Sequence, residues 1–445
     1  MPFDKDPVET RYSWKTWKLP ERPYIHAYHT SLVDKIFLCS KPDPVQAIPV
    51  QVHLTFEQTL ERIRRIDQVT RGIPKIFYLV GWQFEGHDSK YPSWAEVNRH
   101  LMRPSDRNPE ASLRWLMKSA RMHHSTVSVH INMMDAYENS PLWETYKKAK
   151  LIVGKGGIWG GEQAYLIDYH KEWELGLAQQ RINNLVTMLP LVDAGTIHID
   201  AFWPTGENSD AQLGVMRKIV RYWRNKGIDV TVEGIVTPNL SHGLIGLSPM
   251  VWHLNYDLWK KPDEFTEDDY MEIPASLFCG GKDHSQRGLL FGTSMQGEAL
   301  AEDQLEQYLA EFCLNTLPWQ YLNRFERQTL VQVGRIIQVD HADGLSVRVD
   351  LDNRSSRIRQ DQFLLRDGND VFVPASWQKT PEIIAYSQDG YSERWWILPE
   401  SWQSIKSVQV TKIDIDGKEE TQVLPVESGK ICLSLKANEA VTIQE

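Results

Sequence analysis

Two short runs hold the residues best placed for chemistry. Thr196-Ile197-His198-Ile199-Asp200 and Asp229-Val230-Thr231-Val232-Glu233 each alternate aliphatic with polar residues, and each ends in a carboxylate. A period of two predicts a β-strand with its polar set on one face. His198 and Asp200 then share a face, as do Thr231 and Glu233. Only one helix-like stretch separates the runs, so the two acids are predicted at the ends of neighbouring parallel strands. A glycosidase needs such a pair. One carboxyl protonates the leaving oxygen while the other stabilises the oxocarbenium-like centre, and in retaining enzymes they stand about 5 to 5.5 Å apart. Proximity also separates their pKa values, because the charge of one holds the proton on the other. The same spacing suits carboxylates that only cap strand ends through local hydrogen bonds.

The elements that must carry these acids repeat along the chain. Strand candidates are Tyr24 to His29, Lys75 to Val80, Thr126 to Ile131, Tyr165 to Tyr169, Thr196 to Phe202, Asp229 to Glu233, Val251 to Tyr256 and Ser276 to Cys279. Between them Thr55 to Val69, Ala111 to His123, Trp173 to Leu189, Asp210 to Asn225 and Glu302 to Leu314 space apolar residues at three and four, as helices do. This alternation predicts an α/β fold, a (β/α)₈ barrel over residues 1–326, whose helices cover the aliphatic faces and leave Asp200 and Glu233 at the C-terminal mouth. No GxGxxG follows a strand, and Gly154-Lys155-Gly156-Gly157 lacks the phosphate-loop pattern and is expected to be a plain loop. Beyond about Arg327, short alternating runs punctuated by Asp-Gly pairs at 367–368, 389–390 and 416–417 predict an all-β sandwich domain over 327–445.

Composition narrows the partners. The 445 residues carry 49 Lys+Arg against 59 Asp+Glu, a net charge of −10 with the basic residues scattered, which argues against nucleic acid. No window is long and apolar enough for a membrane helix. The start, Met1-Pro2-Phe3-Asp4-Lys5-Asp6, has no apolar run behind it, so the expectation is a cytoplasmic protein, or a secreted one if an export signal has been trimmed. Cys39, Cys279, Cys313 and Cys432 show no CxxC spacing, which suits isolated thiols in a reducing compartment. The 17 Trp, 16 Tyr and 13 Phe supply flat faces on which sugars stack, although most must serve the core.

Five segments in order resemble the catalytic core of glycoside hydrolase family 101, the endo-α-N-acetylgalactosaminidases. They are GWQFEGHDSKYPSW from Gly81, SVHINMMDAY from Ser128, EQAYLIDYH from Glu162, IHIDAFW from Ile197 with VTVEG from Val230, and SPMVWHLNYD from Ser248. The resemblance implies a (β/α)₈ barrel and retaining hydrolysis of α-linked N-acetylgalactosamine without a cofactor. On it, Asp200 matches the nucleophile and Glu233 the acid/base. Asp88, with His87 beside it, matches the loop that supplies an aspartate to the sugar hydroxyls. His130 and Asn132 match a strand-end motif, with Asp135 as the acidic residue just beyond. Trp82, Trp203, Trp252 and His253 are candidate walls of the sugar pocket. Members of that family are typically much larger, with accessory domains. A short chain of this kind is therefore expected to meet glycopeptides or small glycosides, as in the related family 129, which it also resembles.

Two other classes stay open. His26, His29, His130, His198, His253 and Asp200 lie on or beside strand candidates, and imidazole with carboxylate suits Zn²⁺, as in a metal-dependent barrel hydrolase. A non-catalytic carbohydrate-binding protein on a glycosidase scaffold is the third.

Overall fold

The computed structural model describes residues 24–204, 209–233, 244, 246–252, 304–418 and 420–445. Its centre is a six-stranded parallel sheet: β1 (Leu32–Phe37), β2 (Lys75–Val80), β3 (Ser125–Asn132), β4 (Thr196–Asp200), β5 (Asp229–Glu233) and β6 (Val251–Trp252). The strands are neighbours in chain order, and every pairing is parallel. Four of the connecting helices are α1 (Phe56–Val69), α2 (Pro109–Ser119), α3 (Leu177–Met188) and α4 (Ser209–Arg224).

Local chemistry sets the helix starts. Thr55 and Gln58 form a reciprocal capping box on α1, and Asn108 caps α2 with Pro109 just inside it. Ile63, Ile66, Leu113, Leu116, Ile182, Leu185, Ile219 and Val220 then join Ile197, Ile199, Val230 and Val232 in one buried core. The aliphatic faces of β4 and β5 are thus covered, and the polar faces turn inward. The sheet curls strongly: Lys35 on β1 touches Glu233 on β5 across three intervening strands, whereas a flat sheet would hold those strands roughly 19 Å apart.

Several expectations need correction. Residues 24–29 are not a strand; Tyr28–Thr30 is a 3₁₀ turn, and the first strand begins at Leu32. Here the backbone N–H of Ile25 donates to Asp229 Oδ2 at 2.7 Å, and His26 Nε2 lies 2.7 Å from the Ala194 carbonyl. These bonds replace a ladder. The run around Tyr165 is a strand, Glu162–Ile167, but it is antiparallel to Ile152–Trp159 and stands outside the parallel sheet. The same hairpin absorbs Gly154 to Gly157, expected to be a loop, and a Cβ on Gly156 would already meet Leu166 at 3.3 Å. The helix expected over Trp173 to Leu189 breaks at Gly176, whose φ of +73° suits a residue without Cβ. The strand candidate Ser276 to Cys279 and the end of Val251 to Tyr256 lie outside the described residues.

The C-terminal region is antiparallel as expected but unequal in its layers. Ten strands from Arg327–Val333 onward form one sheet, and Tyr391–Ile397 pairs with Lys430–Leu435 as a separate two-stranded ribbon. One set of residues, Val339, Val347, Ile358, Val371 and Ile384, joins the core of the parallel region. Another, Phe372, Ile383, Val410 and Ile443, packs on Trp396, Ile431 and Leu433, with the Phe372 and Trp396 rings stacked at 4.8 Å. Arg71, just past α1, donates to Glu382 of the large sheet at 2.7 Å. Among the described residues, no helix is long and apolar enough to cross a membrane.

Candidate active site

The inward faces of β1, β3, β4 and β5 converge at their C-terminal ends. The ladder pairs Thr231 with His198 and Val232 with Ile199, so Asp200 and Glu233 are the next positions on adjacent strands. On the other side of β4, Asn132 pairs directly with Asp200 and His130 with His198. His130 Nε2 lies 3.6 Å from Asp200 Oδ2 and 3.9 Å from Glu233 Oε2. These two oxygens therefore stand no more than about 7.5 Å apart, an upper bound compatible with the roughly 5 to 5.5 Å of a retaining pair.

The backbone is bent to make this possible. Ala201 has φ +48°, a left-handed conformation that a residue with a Cβ holds only when its surroundings impose it. Here the N–H of Phe202 donates to the Glu233 carbonyl at 3.1 Å, and the buried Phe202 ring meets Tyr169 edge-on. The turn after Asp200 is thus tied to the strand that carries Glu233.

Three nitrogen-bearing side chains meet the acids. Lys35 Nζ donates to Glu233 Oε2. His198 Nε2 lies 3.4 Å from the same oxygen, while its Nδ1 lies 2.7 Å from Thr231 Oγ1. Because the Thr231 hydroxyl donates to the Ile197 carbonyl at 3.3 Å, the network assigns the His198 proton to Nδ1 and leaves Nε2 as the acceptor facing Glu233. His130 is buried and held well below the usual imidazole range, first by loss of solvent and then by Lys35, His198 and His87. It is a neutral group, and its Nδ1 meets no partner.

The carboxyls are pushed the other way. Burial, followed by the charge of Glu233, lifts Asp200 well above the ordinary carboxylate range, with Asp88 and Asp135 adding to the effect and Lys35 opposing it. Asp135 is raised to about 7, by burial first and by Asp88 second. Four acids crowd the site, and their charges disfavour the ionisation of Asp200 and Asp135.

The residues expected at this site divide into those that meet the acid pair and those that support it. Asp88 and His87 meet it: their ligand atoms and that of Asp200 lie within 4.8 Å of one another. The loop that carries them runs against residues 39–41, and a Cβ on Gly81 would stand only 2.2 Å from the Cys39 carbonyl oxygen. Asn132 is spent on structure, accepting from the N–H groups of Met134 and Asp135 and donating to Asp135 Oδ2 at 2.8 Å. Trp82 does not line a pocket. It is fully buried, and its indole N–H donates to the His130 carbonyl at 2.8 Å, so it supports the wall from behind. Trp203 is half-buried against the core. Trp252 ends β6, and His253 lies outside the described residues.

His26 and His29 sit away from the cluster, near the 3₁₀ turn before β1. The atoms of His130, His198 and Glu233 come within 4.8 Å of one another, a spacing a cation could span. The Lys35 ammonium, bonded to the same Glu233 oxygen, already brings positive charge there. Lys35 is the residue that sequence reasoning missed. Its signal is present, since Val33, Lys35 and Phe37 alternate with Leu32, Asp34 and Ile36, but two adjacent charges hide the strand.

The sequence model of the Glyco_hydro_101 family, described as endo-alpha-N-acetylgalactosaminidase, matches residues 44–237. A putative endo-alpha-N-acetylgalactosaminidase of Renibacterium salmoninarum is 22% identical over 416 residues, which cover 87% of this chain and 25% of that protein. The chain thus spans about a quarter of the length of the curated relative it matches. Among solved structures, the alpha-N-acetylgalactosaminidase NagBb of Bifidobacterium bifidum, as a quadruple mutant, superposes with a TM-score of 0.56 at 13% identity, over 78% of this chain and 58% of that one. The GalNAc complex of NagBb gives 0.55 at 13% identity, over 79% and 61%. These likenesses show the fold. The resemblance to the endo-α-N-acetylgalactosaminidase family holds over residues 44–237, the stretch that carries His87, Asp88, His130, Asn132, Asp135, Asp200 and Glu233.

Proposed function

We propose that the chain is a retaining α-glycosidase acting on α-linked N-acetylgalactosamine, in glycopeptides or small O-glycans, with Asp200 as nucleophile and Glu233 as acid/base. The observation that carries this reading is the convergence of both carboxylates on His130 Nε2 at adjacent strand ends, inside the matched segment. The curled sheet with strands in chain order supports a (β/α)₈ barrel rather than a doubly wound sheet, whose order reverses. We divide the chain at residues 326 and 327, where helices give way to the antiparallel sheet.

In the first step Glu233 gives its proton to the glycosidic oxygen. The bond between that oxygen and the anomeric carbon breaks, its electron pair stays with the leaving oxygen, and an Asp200 oxygen bonds to the carbon. In the second, Glu233 takes a proton from water, the water oxygen attacks the anomeric carbon, and Asp200 leaves as carboxylate. Asp88 and His87 stand where they can hold sugar hydroxyls, and the neutral His130 can donate from Nε2 to Asp200.

A second assignment exchanges the two roles. It is favoured by the pairing of Lys35 with Glu233 and by the elevation of Asp200 through burial and the charge of Glu233. A fluorosugar that traps the glycosyl ester, followed by peptide mapping, tells the assignments apart by the residue labelled.

Hydrolysis of a panel of aryl α-glycosides (GalNAc, Gal, GlcNAc, Glc and the Galβ1,3GalNAc disaccharide) tests the reading. Release confined to α-GalNAc or its disaccharide, and abolished in Asp200→Asn, is the expected result. Silence across the panel, or full activity in the variant, overturns it.

A further inference from the structure

Lys35 occupies the middle of β1 with its side chain only 2% exposed. Removing an ammonium from water costs several kcal/mol unless a well-placed acceptor offsets it. The strand could have carried an aliphatic residue here at no such cost, as it does at Val33, which packs inward on Tyr28, Ile76 and Tyr78. At the next inward position, Phe37 meets His53 and His87 edge-on. Lys35 therefore lies between an apolar floor and the ring of acids, and its ammonium crosses the interior to Glu233 Oε2.

That oxygen is a meeting point. His198 Nε2 from β4 and His130 Nε2 from β3 lie 3.4 and 3.9 Å from it, and Asp200 stands on the neighbouring strand end. Of these described neighbours, both imidazoles can be neutral and Asp200 brings only negative charge. Lys35 is the cationic side chain among them, and its Nζ donates to the oxygen. We propose that Lys35 is a positioning residue for Glu233: its ammonium fixes Oε2 and sets the pH at which Glu233 gains or loses its proton.

The consequence for catalysis rests on the glycosidase reading above. A nearby cation stabilises the carboxylate left behind when Glu233 gives up its proton, which makes it a stronger acid in the first step. The same cation keeps Glu233 ionised, ready to act as base, in the second. Without Lys35, Glu233 holds its proton to higher pH, and breakdown of the glycosyl intermediate slows.

The test titrates Glu233 directly. The full chain is labelled with [δ-¹³C]glutamate, Glu233→Gln identifies the resonance, and its midpoint is compared in the wild type, Lys35→Met, Lys35→Gln and Lys35→Arg. Loss of an adjacent opposite charge is expected to raise the midpoint by about 1 to 3 pH units in the Met and Gln variants, with Arg close to wild type. Lys35→Gln keeps a donor, so it serves if the Met variant does not fold. An unchanged midpoint in a folded neutral variant overturns the proposal. Because this readout needs no turnover, it decides the role of Lys35 even if the aryl glycoside panel is silent. Where the panel is active, the high-pH limb of the kcat profile is expected to rise with the midpoint.

Discussion

Asp367 on the C-terminal sheet and Asp200 at the end of β4 are both drawn partly out of water, yet they are treated in opposite ways. Burial pushes Asp367 up, but the guanidinium groups of Arg357 and Arg394, at 2.7 and 2.9 Å, hold it below the usual carboxylate range. Its surroundings are balanced: Arg348, Arg357 and Arg394 line one shallow cavity with Asp350, Asp367 and Asp370. Asp200 instead faces Glu233, Asp88 and Asp135, and Lys35 offsets only part of their repulsion. Acids paired off in this way contribute to structure. Acids left to repel one another cost stability and keep a proton near neutral pH, which is the condition proton-transfer chemistry requires.

The sharpest test of that contrast is Asp200→Asn, read for stability as well as rate. An acid whose folded pKa is raised binds its proton more tightly folded than unfolded. Stability therefore falls as pH rises from the unfolded value, near 3.9, toward the folded one. The neutral isostere is spared this loss. We expect the variant to lose roughly 10³-fold or more in kcat while melting higher than wild type at pH 7, with the difference fading toward pH 4. A lower melting temperature at pH 7 would show that Asp200 is a paired structural acid, like Asp367.

Much of this contrast is legible in the order of the amino acids. The alternation of Ile197 and Ile199 with His198 and Asp200 places the acids on the inner face, because a helix-covered sheet leaves no other home for the aliphatic set. The bounds of β2 and β5 follow from the residue pattern for the same reason. What stays hidden depends on partners distant in sequence. Asp34 and Lys35 look like a loop because two adjacent charges rarely sit in a buried strand; here Lys35 finds its partner 198 residues away and Asp34 accepts from the backbone N–H of Lys35. Tyr24, His26 and Tyr28 alternate like a strand, yet the Ile25 N–H between them donates to Asp229, and Tyr28 meets the Tyr24 and His26 rings edge-on. Nor does composition say that Trp82 would serve its neighbour's carbonyl rather than a ligand, since an indole N–H satisfies either.

Asp135 offers the next effect in size. Its folded pKa of about 7 lies roughly three units above the unfolded value, a penalty of at most about 4 kcal/mol once both states are ionised. Asp135→Asn keeps an oxygen for the Asn132 amide, so its stability gain over wild type should grow steadily from pH 4 to pH 7 and level off above pH 8. Urea melts at four pH values measure this. A gain that is flat with pH would mean that the variant acts through packing and that Asp135 is not a repelled acid.

The smallest effect is expected on the balanced side. Arg394 reaches Asp367 at 2.9 Å and also bonds Asp370, with its guanidinium 4.5 Å over the Trp396 ring. It is 24% exposed and its partner 31%, so solvent screens the pair and the net contribution is on the order of 1 kcal/mol. Asp367 has a depressed folded pKa, so this stability is present above the unfolded value and is lost as pH falls through the folded one. Arg394→Met should therefore lower the melting temperature slightly at pH 7, approach wild type near pH 3, and leave kcat on any active glycoside unchanged. A large fall in kcat would connect the C-terminal sheet to the strand-end acids, and the two clusters could no longer be read as one set for chemistry and one for support.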